Sequence, residues 1–474
     1  MDDTAYRTAL WGFTWDDVYG EKNVVQGSAN LLDNSILLNL PFGQLLGDPG
    51  ILAADEEPLP SEADCLFGFS QDGFHLALID AFSLGSTIHH PGGAAQKIRG
   101  KYLLASRNKF DPQREITRIE IKATGLREWF ARSPISGRID RKTHRYRAIE
   151  YDLDNEASYN QVLFDNDDMT LEVAHQIETT WLGCAGYSIR HDCILIAKLK
   201  RYLVLDDAVC LTNTIAKFFT FCFGFMAEIQ EFKLHFEGYD SPVFCHGSFL
   251  KGSPSIASNL PDIPFKLNVI ENSIEEYISH WLHPDDNLRS ARDMVFSLMA
   301  YPWEMPIDLR FVATSQALEA LTRVNNDPHS MPTDEYSRYV ETIKKSITDQ
   351  EALAWITRRM PGNSKGQTRM LSDFLKMHSE IAEWLIDDTN TFIRRHIDLR
   401  NSYTHRSSSA NNSDTAHYEM LYRHTECVLM LCYGIIWQEL GMSPEALIKQ
   451  VEESGFRNYQ LYEIRKLYKK DEQQ

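Results

Sequence analysis

The sequence predicts an α+β multidomain protein, with a β-rich, sandwich- or barrel-like N-terminal half and an all-α helical bundle behind it. Three observations carry this. A chain of 474 residues holds two or three domains at roughly 100–200 residues each. Short β-like runs broken by turns fill residues 9–125, a pattern of sandwiches and barrels. After about residue 270 the apolar residues recur at three- and four-residue spacing, the period of a helix with one buried face.

The β-like runs begin with Leu10-Trp11-Gly12-Phe13-Thr14-Trp15, then residues 23–32 and Ile36-Leu37-Leu38-Asn39-Leu40, with turn chemistry at Asp33-Asn34. Phe67-Gly68-Phe69 and residues 74–79 flank Gln71-Asp72-Gly73, whose Asp-Gly is a hairpin signal. Residues 101–105, 118–122 and 149–153 read as further strands, and 170–180 and 193–204 as a second group. Asp206-Asp207 is placed to cap a helix from Ala208 to Phe223, ended by Gly224. Residues 229–236 return to strand-like alternation. A Pro-, Ser- and Gly-rich stretch over 252–264 reads as the linker, which sets the domains at 1–265 and 266–474.

In the second domain, Ile274-Tyr277-Ile278-Trp281, Phe311-Thr314-Leu318-Leu321 and Phe374-Met377-Ile381-Trp384-Leu385 each mark a buried helix face. A long helix from about Asp414 to Leu440, apolar almost all round at its centre, stops at Gly441. Ser443-Pro444-Glu445 opens another helix.

Composition bounds the function. The formal net charge of −19 argues against a protein that coats nucleic acid through a broad basic surface, but leaves room for a local cationic site. The eight cysteines include no Cys-x-x-Cys pair, so a reducing, cytoplasmic setting is expected rather than a disulfide framework. Met1-Asp2-Asp3 lacks the basic and apolar regions of a secretory leader. The apolar stretches at 211–227 and 427–437 fall short of the ~20 residues that span a bilayer, so no membrane partner is expected.

The candidate site lies in residues 391–409, Thr-Phe-Ile-Arg-Arg-His-Ile-Asp-Leu-Arg-Asn-Ser-Tyr-Thr-His-Arg-Ser-Ser-Ser. Arg394, Arg395, Arg400 and Arg406 face a single acid, Asp398, and His396 and His405 lie among them. Ser407-Ser408-Ser409 and Asn411-Asn412 follow, which puts His405 near a helix end. The bland reading is a pair of cations set against helix-terminal carbonyls. The chemical reading starts from the histidine, which with an unperturbed pKa of ~6.5 can move a proton near neutral pH. An arginine, always charged, can hold two phosphate oxygens.

Arg400-Asn401-x-x-x-His405 matches the Arg-x4–6-His signature of the HEPN superfamily, and the chain around it resembles the ApeA-like branch of that superfamily. An apolar helix with Glu319, in Ser315-Gln316-Ala317-Leu318-Glu319-Ala320-Leu321, precedes the motif by about 80 residues, and a long apolar helix follows it. Trp11-Gly12-Phe13-Thr14-Trp15, Gly20-Glu21-Lys22-Asn23-Val24, Gln26-Gly27-Ser28 and the Leu37-Leu38-Asn39-Leu40 strand are similar to the ApeA N-terminal domain.

The resemblance implies a HEPN-like helical domain that acts as a metal-independent endoribonuclease in bacterial antiphage, abortive-infection defence. Its substrate would be cellular RNA, tRNA among the candidates, and the β-rich domain would sense a phage-derived trigger or hold the helical domain inactive. It assigns the chemistry to Arg400 and His405, with Asn401 assisting. Arg394, Arg395 and Arg406 would bind the RNA backbone, and Glu319 and His396 would support the site, although Arg394 and Arg395 also read as a solvated helix face, Glu319 as an ordinary ion-paired residue and His396 as a surface one. One motif supplies one histidine, so a homodimer or higher homo-oligomer would bring two motifs to one cleft.

Two rivals stand beside this reading. One is a non-catalytic HEPN-like scaffold that binds RNA or a partner protein through the same basic patch. The other makes the β-rich domain a carbohydrate or peptide binder through an exposed Trp11 and Trp15, although both read better as core residues. No metal or other cofactor is expected. His191-Asp192-Cys193, Cys245-His246 and the pair His417 and His424 lack zinc-type spacing. Gly92-Gly93 and Gly362-Asn363-Ser364-Lys365-Gly366 lack the order of a nucleotide-binding loop.

Overall fold

A computed structural model describes residues 6–32, 35–47, 59–89, 93–132, 135–139, 146–151, 160–181, 187–247, 249, 262–301, 305–360, 362–405 and 415–468. The expected turn at Asp33-Asn34, most of the expected linker, Arg406 and the serine run after it lie outside these residues, as does the side chain of His405. The chain separates into two compact units, Met1–Leu260 with Lys266–Glu275, and Pro261–Phe265 with Glu276–Gln474. The first is β-rich and the second helical, the division of fold class that the sequence predicts.

In the first unit β1 (Tyr6–Gly12), β2 (Val25–Leu32), β3 (Ser35–Leu40), β4 (Glu62–Ser70), β5 (His75–His89) and β6 (Gly93–Gly100) close into a six-stranded antiparallel barrel in the order β5-β4-β1-β2-β3-β6, with β6 returning to β5. Closure removes the unpaired edges that an open sheet would expose. The Asp72-Gly73 hairpin forms as the dipeptide suggests: Gly73 N–H donates to Ser70 O at 2.9 Å, with Gly73 at φ +77°. Trp11 and Leu38, Leu66, Leu78 and Ile98 fill the core. Gly68 permits this, since a Cβ there would meet the Trp11 ring at 2.9 Å.

Strand β5 changes partners along its length. Its residues 75–79 pair with β7 and its residues 82–89 with β6, and a bulge between Ser83 and Gly85 marks the bend. The other strands are β7 (Tyr102–Ser106), β8 (Ile116–Ala123), β9 (Ile135–Ile139), β10 (Tyr146–Tyr151), β11 (Gln161–Asp165), β12 (Met169–Trp181), β13 (Tyr187–Leu203), β14 (Ile229–Phe236) and β15 (Val243–Gly247). Seven of them extend from β5 in the order β7-β15-β14-β8-β13-β12-β11, while among the described residues β9 and β10 pair only with each other.

Among the described residues, helices interrupt these strands at three places. The first, α1 (Trp15–Gly20), corrects the reading of 9–125 as strands and turns only. Thr14 and Asp17 form a reciprocal capping box there, so the strand ends at Gly12 and the chain turns helical. The others are α2 (Leu126–Phe130) and α3 (Leu205–Phe223). The cap of α3 also differs from expectation: Val204 is the N-cap and makes no side-chain cap bond. Asp206 instead binds Lys101 Nζ at 2.7 Å, while Gly224 ends the helix at φ +76°. Trp11 is fully buried and Trp15 is 9% exposed, donating Nε1–H to Phe110 O at 3.0 Å. Neither is an exposed platform, which removes the basis of the carbohydrate- or peptide-binding rival.

Short α4 (Leu267–Ile270) belongs to the first unit, and α5 (Ile274–Leu282) crosses into the second. The helical unit continues with α6 (Asp286–Ala300), α7 (Ile307–Leu321), α8 (Thr333–Ser346), α9 (Gln350–Arg359), α10 (Gln367–Met377), α11 (Ser379–Leu385), α12 (Thr389–His405), α13 (Thr415–Glu439), α14 (Pro444–Ser454) and α15 (Asn458–Tyr468). The long α13 is the hub. It packs against α6, α7, α11, α14 and α15, and its side chains from His424 to Trp437 are all buried. Residues 374–385 do not form one helix: the chain breaks at His378 between α10 and α11, and Met377 is 47% exposed rather than on the buried face.

Candidate active site

Helix α12 carries the Arg-x4-His motif and packs against α7 and α10. These helices, with the N-terminal turn of α6 and two loops, enclose a cleft of about 420 Å³. Leu318 of α7, Met370 and Leu371 of α10 and Ile397 of α12 give it an apolar floor. Polar groups converge over that floor: Glu319, Arg323, Lys365, His396 and Arg400. An apolar pocket with a few convergent charged groups is the usual form of a ligand site.

Arg400 is part-buried, and its Nη2 lies 3.4 Å from Glu319 Oε2. The other carboxylate oxygen of Glu319 takes Arg323 Nη2 at 2.9 Å. Glu319 therefore sits between two guanidiniums, and the contact between α7 and α12 is ionic at the cleft and apolar at Phe311 and Leu399. Lys365 comes from the loop at 362–366. The Asn363 side chain donates to Met331 O at 2.8 Å and Lys365 N–H donates to Pro328 O at 2.8 Å, which pin this loop to the strand-like turn at His329. Lys365 Nζ then reaches Asp373 at 2.9 Å at the cleft wall. The loop is no nucleotide-binding loop, but it brings a cation to the site.

His396 lies one turn before Arg400 on the same helix. It is 5% exposed, so the surface role is excluded. Its Nδ1 is 3.1 Å from Nε2 of His424 on α13, and His424 Nδ1 is hydrogen-bonded to the Tyr468 hydroxyl of α15. A buried chain of polar rings thus runs from the cleft into the bundle. Burial, and then the charge of Arg400, pull the His396 pKa down to about 4, and burial holds that of His424 well below its ordinary value. Both imidazoles are neutral near pH 7.

The remaining expected residues are dispersed. Asn401 and Arg394 are exposed on α12, away from the cleft lining. The Arg395 guanidinium stands 5.2 Å over the Tyr468 ring, turned toward α15. His405 is the last residue of α12. The final turn before it is held by Tyr403, whose hydroxyl is 3.0 Å from Nε2 of His417 at the start of α13. His417 and His424 therefore serve different contacts and form no joint site. Sequence reasoning missed Arg323, Lys365, His424 and Tyr468. Arg323 alone carried a local signal, as the i+4 partner of Glu319; the others arrive only through tertiary packing.

These features define a two-unit protein with a closed β-barrel in its first unit and, in its second, a helical domain whose Arg-x4-His helix borders a cleft. The helical region 312–446 matches the family described as Apea-like HEPN, and residues 10–281 match ApeA N-terminal domain 1. The chain belongs to the ApeA family, with a C-terminal HEPN domain. That fits an antiphage-defence HEPN protein, and HEPN domains are generally ribonucleases that commonly dimerise. Neither the curated proteins nor the solved structures searched give a match. Among the described residues no helix is long and apolar enough to cross a membrane.

Proposed function

We propose that this protein is an endoribonuclease of abortive infection, cutting cellular RNA, tRNA among the candidates, with Arg400 and His405 as its catalytic residues. The observation that supports it is the position of Arg400: part-buried beside Glu319, at the edge of a cleft that also holds Arg323 and Lys365. His405 accepts the proton of a ribose 2′-OH. The freed 2′-oxygen bonds to the adjacent phosphorus, the bond to the 5′-oxygen breaks, and that oxygen leaves with a proton from a general acid. The guanidinium of Arg400 stabilises the charge that gathers on the phosphoryl oxygens. The products are a 2′,3′-cyclic phosphate and a 5′-OH. Because the nucleophile is the substrate's own hydroxyl, the reaction requires no metal-activated water.

The general acid is His405 of a second copy in a homodimer, which places two motifs about one two-fold axis. The β-rich unit restrains the helical unit until a phage-derived trigger engages it. Asn401, exposed one residue after Arg400, contacts a phosphate rather than the buried part of the site. Arg394 and Arg406 guide the RNA backbone.

The test is a pair of synthetic RNAs identical but for one 2′-deoxy sugar at the mapped cut. The ribose version is cut and its 2′-deoxy twin is spared. Equal cutting of both would overturn the mechanism. The scaffold reading retains one supporting observation, that Arg400 is already engaged by Glu319. It requires Arg400→Ala and His405→Ala to weaken RNA binding in step, with no cut to lose.

A further inference from the structure

Outside the helical cleft, three soft or borderline donors meet on one face of the β12–β13 hairpin. His175 of β12 stands directly opposite Cys193 of β13 in the antiparallel register. His191, two residues before Cys193, projects to the same face. The sequence spacing offers only His191 and Cys193; the ladder supplies His175. His175 Nδ1 is 2.7 Å from His191 Nε2 and 3.9 Å from Cys193 Sγ, and one donor atom from each residue lies within 4.8 Å of the others.

We propose that His175, His191 and Cys193 bind a single divalent zinc-class ion that joins β12 to β13.

A tetrahedral ion with bonds of ~2.0–2.1 Å to nitrogen and ~2.3 Å to sulfur needs donor separations of about 3.3 Å between nitrogens and about 3.6 Å from nitrogen to sulfur. The nitrogen pair is about 0.6 Å too close and the nitrogen–sulfur pair about 0.3 Å too far for this geometry, so the His175 and His191 rings must part by rotation about their χ angles to admit the ion. The donor set of two imidazoles and one thiol suits zinc and cobalt and disfavours magnesium or calcium. Strand backbones hold all three residues, which pre-organises the set.

The surroundings are compatible with a cation. Arg127 approaches His191 O at 3.4 Å, but its guanidinium is taken by Glu128 at 2.6 Å. Asp192, on the other face of β13, pairs with Lys122 at 2.5 Å. His175 is backed by the Phe130 ring at 5.1 Å. His175 and Cys193 are buried while His191 is part-exposed, so a water reaching the site past His191 would supply the fourth ligand. The bound ion would hold Cys193 as the thiolate, the form that ligates.

The full-length protein, stripped by chelator, would be titrated with Zn²⁺ against a chromogenic competitor and separately with Co²⁺ by absorption. The expected result is one ion per chain, with a thiolate-to-cobalt charge-transfer band and the intense bands of four-coordinate cobalt. Cys193→Ser loses the charge-transfer band, and His191→Gln, at a part-exposed position that spares the fold, loses stoichiometric binding. Zn²⁺ raises the melting temperature of the wild type but not of either variant. Cys210→Ser, at an exposed cysteine outside the cluster, behaves as wild type. No metal uptake by the wild type, or a charge-transfer band that persists in Cys193→Ser, would overturn the proposal.

Discussion

Arg400 Nη2 and Glu319 Oε2 lie 3.4 Å apart, joining α12 to α7 at the candidate site. The carboxylate that positions Arg400 also offsets its charge. Arg400→Ala should therefore lower cleavage about 10²–10³-fold, the usual loss for one group stabilising transition-state charge. Arg400→Lys should restore little, because an ammonium cannot hold two oxygens in one plane. Glu319→Gln should tighten binding of an uncleavable 2′-deoxy RNA, since it removes the anion a phosphate must displace. Binding by fluorescence anisotropy and single-turnover cleavage read the two effects separately.

Arg323 and Lys365 supply the other charges of the cleft. If each contacts one phosphate, Arg323→Ala or Lys365→Ala should reduce the slope of log affinity against log salt by about 0.7, the single-strand value per phosphate. An unchanged slope for both would place the RNA elsewhere.

The neutral pair His396 and His424 makes the helical unit sensitive to acid. Burial depresses both pKa values in the folded state, that of His396 to about 4. Between about pH 6.5 and about 4 the unfolded chain binds more protons than the folded one. Stability is thus fully present above about pH 6.5 and falls as pH drops through that window. Urea unfolding from about pH 7 down to about pH 5 should show this slope in the wild type. His396→Asn, which keeps a hydrogen-bonding group near the Nδ1 position, should lessen it and leave the part that His424 contributes.

Glu426 is buried on α13 and shared by two guanidiniums, Arg310 Nη2 and Arg457 Nη1, each at 2.7 Å. Removing that carboxylate leaves a buried cation, Arg310, and a part-buried one, Arg457, without their shared anion. Glu426→Ala should cost about 3–5 kcal/mol of stability, measured as a lower urea midpoint, without a direct effect on the residues of the cleft.

Much of this was legible in the sequence because the signals were local. The Asp72-Gly73 hairpin, the Gly224 and Ser443 helix ends and the apolar run of α13 all report on neighbours along the chain. The helix α1 was missed although Thr14 and Asp17 carry its capping box, because Trp11 and Trp15 dominated the strand reading. Barrel closure depends on β5 changing partners at Asp80 to Gly85, and no residue pattern announces which strand it meets next. The same limit applied to the site. Arg400 and Glu319 could be named from their motifs, but Lys365, His424 and Tyr468 reach it from loops and helices set by tertiary packing.

The central claim is best tested by incubating purified protein with total cellular RNA in excess EDTA, beside His405→Ala. EDTA would also strip the proposed ion at His175, His191 and Cys193, so a retained cut would show that the chemistry needs neither. The account predicts discrete fragments with cyclic-phosphate ends from the wild type alone. Cleavage by both proteins, or by neither once the trigger is supplied, would contradict it.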